Sequence, residues 1–241
     1  MANNSVEQAK LVQEFMMVGS QTINVVPTYP TLKTGLFRLA LINEEINGAH
    51  ELVDSLQSDN MVGVLDGICD VLYVVYGAYA TFGLTVPNWA VPTVGEDSES
   101  YIPTMQESLT NINHLRGGYD RLKRGLEIGD FRTIQGGLDD ILASSFELSA
   151  LCQFNLIDAF NEVHASNMSK FCDTMADANQ SIKLRIDAND KNSEFYKDAK
   201  VHVVNIQKEN GLHEVYIIKR NSDGKVLKGA GFFEPDLSKF I

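Results

Sequence analysis

Positive charge is scarce in this chain: 20 lysines and arginines stand against 32 aspartates and glutamates, a formal net charge of −12. That balance argues against a general nucleic-acid or anionic-membrane binder, but it leaves room for a small phosphorylated ligand, because a metal ion reverses the local sign. Cysteine is scarce too. Cys69, Cys152 and Cys172 are odd in number and lack metal-ligand spacing, so reduced thiols and a cytoplasmic setting are expected. The start of the chain, Met1-Ala2-Asn3-Asn4-Ser5, lacks the basic and apolar pattern of a targeting segment. The longest apolar run, Asp70 to Leu84, is too short and too closely flanked by acids for a transmembrane span, so no membrane partner is expected. The single tryptophan, Trp89, lies in a proline-flanked linker that it is expected to pack down.

What is present is ordinary globular material, 44% apolar and 22% charged over 241 residues, enough for one large domain or two small ones. Apolar residues recur at three and four in Val6–Val18 and in Leu36–Gln57, where Leu39, Ile42, Ile46, Ala49 and Val53 predict one long amphipathic helix. A further helix is expected over Met61–Phe82, then a linker through Pro87, Pro92 and Pro103, then helices over 104–124, 130–154 and 155–168. Val201–Ile206 and Glu214–Ile218 are β-rich and flank Glu209-Asn210-Gly211, a hairpin signal. The expected fold is mainly α and like a four-helix bundle, with a helical domain over 1–185 and a hairpin with a loop over 186–241.

Two aspartates interrupt the most apolar stretch. Asp66 and Asp70 are four apart, so a helix places them on one stripe. Their neighbours are apolar, which predicts a buried helix, and buried carboxylates are costly unless something positive meets them. Upstream lies a second acidic pair, Glu44-Glu45. Four carboxylates between two helices would form an oxygen-rich pocket suited to Mg²⁺, with Mn²⁺ as a substitute. Taken alone, Glu44-Glu45 also reads as a solvated helix face, and Asp66 and Asp70 as partners for a lysine or arginine. His114 and His164 are isolated and read as structural or surface residues.

A degenerate internal repeat runs at an offset of seventy residues, with halves at about 36–84 and 106–154. Leu52 matches Leu122, Gly48 matches Gly118, Gly67 matches Gly137 and Asp70 matches Asp140. The acids are not repeated equally: His114, Leu115 and Gly136 stand opposite Glu44, Glu45 and Asp66. One half would carry the chemistry and the other would be scaffold, completing the bundle within one chain.

Leu41-Ile42-Asn43-Glu44-Glu45-Ile46 and Asp66 through Gly77 resemble the all-α nucleotide pyrophosphohydrolases, the MazG-like and phosphoribosyl-ATP pyrophosphohydrolase-like proteins that include the dimeric dUTPases, in their phage and bacterial forms. The run Phe160–Phe171 resembles the family's later helix, and Asp223–Gly229 its basic substrate-side loop. The resemblance implies Mg²⁺ bound by Glu44, Glu45, Asp66 and Asp70, and hydrolysis of a nucleoside triphosphate, or of a related phosphorylated nucleotide, to the monophosphate and pyrophosphate. It implies proton transfer by Glu44 or Glu45, phosphate contacts from Lys170, Lys225 and Lys228, hydrogen bonds from Asn167, and base or ribose packing by Tyr73. A homodimer is compatible with it. The third acid of the family's first motif falls on Gly48 and the glutamate of its second motif on Gly67, with Glu51 and Asp66 as nearby substitutes. A non-catalytic nucleotide-binding protein and a plain structural bundle are the rival readings.

Overall fold

The computed structural model describes residues 3–93, 100–189, 192–208 and 211–241. It is mainly helical, with one antiparallel hairpin, as the sequence predicts. The chain forms two compact units: residues 1–13, 22–163 and 236–241, and residues 14–21 and 164–235.

The first unit holds the start of α1 (Ser5–Val18), then α2 (Leu32–Asn47), α3 (Leu52–Gln57), α4 (Met61–Phe82), α5 (Met105–Ile128), α6 (Phe131–Leu151) and most of α7 (Leu156–Met168). Its core is built on α4, whose Leu65, Ile68, Leu72, Tyr76, Tyr79 and Phe82 are fully buried. By length and apolar content alone α4 would suffice to cross a membrane, but 67% of its most apolar window is buried inside the protein, the pattern of a core helix. α2 and α3 pack on α4, α5 packs along α6, and α4 contacts α6. Trp89 is partly exposed; its backbone carbonyl accepts from the Ser5 N–H at 2.9 Å, which ties the linker to the start of α1.

The seventy-residue offset recurs in the backbone. α4 begins after Asn60, whose side chain accepts from Gly63 N–H at 3.2 Å; α6 begins after Asp130, whose side chain accepts from Thr133 N–H at 2.9 Å. A Cβ on Gly67 would stand 2.8 Å from the Leu52 Cα, and one on Gly137 would stand 2.6 Å from the Leu122 Cα. The same glycine-on-leucine approach therefore joins each helix pair.

The halves differ at one place. α5 is continuous, whereas its counterpart is broken, and the single helix expected over Leu36–Gln57 is two. Gly48 caps α2 in an extended conformation, its N–H bonded to Glu44 O at 2.7 Å, and His50 follows at φ 69°. Asp54 secures the turn by accepting from His50 N–H at 2.9 Å. Glycine suits the capping position because a Cβ there would lie 2.5 Å from Glu44 O.

The second unit contains α8 (Met175–Asp187), α9 (Ser193–Lys197) and the hairpin β1 (Ala199–Lys208) with β2 (Gly211–Arg220). Two of the expected turn residues, 209 and 210, lie outside the described residues. The division differs from a boundary at residue 185, because Ala178, Ile182 and Ile186 of α8 pack in one apolar cluster with Ile218 and Leu227. The segment Ser222–Gly229 is less a loop than an extension of the sheet: Val226 bridges Lys219, and Leu227 N–H bonds Ile218 O at 2.8 Å.

Candidate metal centre

α4 buries every side except one narrow stripe. Val62, Gly63, Asp66, Asp70 and Val74 are its incompletely buried positions, so both aspartates are half-buried rather than enclosed. Opposite them, α2 presents Glu45 half-buried and Glu44 exposed. Helical geometry separates the two glutamates: neighbours differ by about 100° around the axis, and Glu45 is the one beside the buried Ile42 and Ile46.

Three carboxylates converge. Oxygen atoms of Glu45, Glu51 and Asp70, all half-buried, lie within 4.8 Å of one another. Glu51 enters because α2 breaks. Had the helix continued, Glu51 would point about 120° away from Glu45. Instead its Cγ lies 2.9 Å from where a Cβ on Gly48 would be. Position 48 is one turn after Glu45, on the same side, so Glu51 folds back into the space a third acid on α2 would occupy. Of the four acids singled out in the sequence, Glu45 and Asp70 belong to this cluster. Glu44 and Asp66 lie outside it, one residue and one turn away.

The surroundings are electrostatically marked. Cys69, fully buried between the aspartates in sequence, has its thiol pKa pushed well up by burial and then by the charges of Asp70 and Asp66, which keeps it protonated. Arg38, absent from the sequence reading, is buried on α2 two turns before Glu45, and burial lowers its pKa to about 10. It remains a cation at neutral pH. Its signal in the sequence was an arginine on the apolar stripe of Leu39 and Ile42.

The other expected site residues are divided between the two units. Tyr73 is 8% exposed and packs against Phe160 with ring centroids 5.8 Å apart, so it is core rather than a platform for a base. Asn167, Lys170, Lys225 and Lys228 belong to the second unit. There Asn167 accepts from Lys170, Lys225 N–H bonds Asp223 at 3.0 Å, and Lys228 pairs with Glu234 at 2.7 Å over the ring of Phe232.

The segment that carries the acidic cluster has relatives. Residues 12–89 match the phosphoribosyl-ATP pyrophosphohydrolase family. The match contains Glu45, Glu51 and Asp70 and ends before α5, so it covers the acid-bearing half of the repeat and not the other. Across 231 residues the chain is 28% identical to an uncharacterized protein, L479, of Acanthamoeba polyphaga mimivirus, covering 87% of this chain and 84% of that one. No solved structure matches the chain. Measured against the phosphoribosyl-ATP pyrophosphohydrolases, the departures at 48 and 67 now have distinct physical outcomes. Glu51 reaches the space beside Gly48, whereas Gly67 is sealed against Leu52 and admits no side chain.

The donor set fits a hard divalent cation. Carboxylate oxygens alone, without nitrogen or sulfur, suit Mg²⁺ or Mn²⁺ rather than zinc or copper. Like charges this close repel, and a cation among them removes the repulsion.

Proposed function

We propose that this chain is a Mg²⁺-dependent nucleotide pyrophosphohydrolase, cleaving a nucleoside triphosphate or related phosphorylated nucleotide with water to the monophosphate and pyrophosphate. The observation that carries the reading is the convergence of Glu45, Glu51 and Asp70 inside the segment that matches the family. These three would hold the metal. The chemistry a divalent cation supplies in such a cage is neutralisation of phosphate charge and a lowered pKa for water. Glu44, exposed on α2 next to Glu45, would accept the proton that water loses. Asp66, one turn before Asp70 on the open stripe of α4, extends the acidic surface and can orient a second cation or a water. Arg38 keeps a positive charge buried within α2.

One observation favours a second reading, nucleotide binding without turnover. The position of the second motif's glutamate is closed by the Gly67–Leu52 contact, so the cage has fewer acids than the family pattern. A panel of nucleoside triphosphates and phosphoribosyl-ATP with Mg²⁺ or Mn²⁺, assayed separately for pyrophosphate and for phosphate, decides between them. Metal-dependent pyrophosphate release that disappears in Glu51→Gln supports hydrolysis. Nucleotide-induced thermal stabilisation without any release supports the second reading.

A further inference from the structure

In an antiparallel pair, residues directly opposite share a face of the sheet. The register of β1 and β2 sets Lys200 opposite Lys219, His202 opposite Ile217, Val204 opposite Val215 and Ile206 opposite His213. These side chains make up one face of the hairpin, and it contains no carboxylate. The hairpin's described acid, Glu214, is on the other face, where it accepts from the Tyr216 hydroxyl at 2.5 Å. Val215 and Ile217 pack with Val18, Met168, Phe171 and Val226, which fixes the apolar middle of the basic face. At its base two lysines stand side by side with His202 two residues along.

Opposed like charges weaken a sheet. Among the described residues neither Lys200 nor Lys219 is ion-paired. The acids at this end of the hairpin are engaged otherwise: Asp223 by Arg220, and Asp198 by the Ser222 N–H at 3.0 Å. Lys219 is half-buried, and desolvation lowers its pKa, so its charge is held where water screens it less.

We propose that the open end of this face, beyond its covered apolar middle, binds the phosphate group of a small molecule, with Lys200 and Lys219 as a pair of cationic clamps and His202 beside them. A phosphate has acceptor oxygens enough for both ammonium groups at once, and bridging them turns a repulsive cross-strand pair into an attractive one. The site uses no metal and none of the acids of α2, α3 or α4, so it stands or falls separately from the pyrophosphohydrolase reading.

Calorimetric titration of the full chain with inorganic pyrophosphate in the presence of EDTA tests it, since chelation removes any contribution from the acidic cluster. Wild type should bind, Lys200→Gln and Lys219→Gln should each weaken binding about tenfold, and the double variant should not bind. Lys183→Gln, at an exposed lysine of α8, should bind as wild type does. Without ligand both single variants should melt no lower than wild type, because each removes a repulsion; that arm separates lost binding from lost folding. Pyrophosphate affinity that is absent in wild type, or unchanged in Lys200→Gln and Lys219→Gln, overturns the proposal. So does binding to phosphatidylserine vesicles or single-stranded DNA that needs both lysines while pyrophosphate does not bind, because the surface would then serve a polyanion.

Discussion

Arg121 and Asp140 form an ion pair at 2.9 Å, at the two positions that seventy residues earlier are Glu51 and Asp70. In the second half of the repeat an arginine supplies the cation that neutralises the aspartate. In the first half the equivalent position holds another acid, and Glu45 joins it where the second half has the buried Leu115. The two halves thus set the same aspartate beside opposite charges, an arginine in one and a glutamate in the other.

Glu51→Arg should convert the first setting into the second. The arginine can reach Asp70 as Arg121 reaches Asp140, so the metal-free variant should melt at or above the wild-type temperature. Mg²⁺ should raise the melting temperature of wild type and leave the variant unchanged. Asp70→Asn should likewise lose metal binding and turnover while keeping its fold. Differential scanning fluorimetry across a Mg²⁺ titration reads all three proteins, and an equal Mg²⁺ response in Glu51→Arg would remove Glu51 from the cage.

Asp140→Asn should behave quite differently. Both partners of the Arg121 pair are nearly half exposed, at 47% and 46%, so losing it should cost under about 1 kcal/mol. Pyrophosphate release should be unaffected. A loss of activity matching that of Asp70→Asn would mean that the second half takes part in the chemistry after all.

Gly67→Glu restores the family's acid in sequence but should not restore it in structure. Its Cβ would stand 2.8 Å from both Cα and Cβ of Leu52, and the opposing backbone cannot swing aside as a flexible side chain can. Even Gly67→Ala should destabilise by about 1–3 kcal/mol. Chemical denaturation measures this; a Gly67→Ala protein as stable as wild type would contradict the close approach.

His164 gives the second unit a pH dependence. Burial lowers its pKa below 6.5, and the Glu14 carboxylate at 3.7 Å opposes that only in part. The folded state therefore holds fewer protons than the unfolded state in this range. The contribution is complete above pH 6.5 and is lost as pH falls through the unfolded and then the folded value. Stability should decline on acidification from pH 7 to 5, and His164→Gln should flatten that part of the curve in urea denaturation. An unchanged slope in His164→Gln would place the titration elsewhere.

Much of this architecture was legible because it rests on strong periodicity. α4, α6 and the hairpin have unambiguous apolar patterns, and their N-caps and turn glycines mark the boundaries. The break after Asn47 was hidden because Leu39, Ile42, Ile46, Ala49 and Val53 keep helical spacing straight through it; only Gly48 and the left-handed His50 betray it. With the break hidden, Glu51 reads as lying two helical turns beyond Glu44, a weaker substitute for the missing acid. α8 was missed because its inward positions include the small Ala178 and Ser181 as well as Ile182 and Ile186, a thin apolar signal. The family resemblance turns Tyr73 toward a ligand, yet rotation about the helix axis delivers it to Phe160.

The approach of Gly67 to Leu52 also acts as an alignment pin. A one-residue slip of α4 along α3, about 1.5 Å of rise, would bring the side chain of Asp66 or of Ile68 against a backbone that tolerates only hydrogen. Longitudinal sliding is thereby forbidden, and Asp70, on the same rod one turn further, is held in register with Glu51 at the head of α3. A residue with no side chain of its own sets the spacing of the charges, so tolerance to substitution at this position should be narrower than at Glu44 or Asp66, which carry the acids themselves.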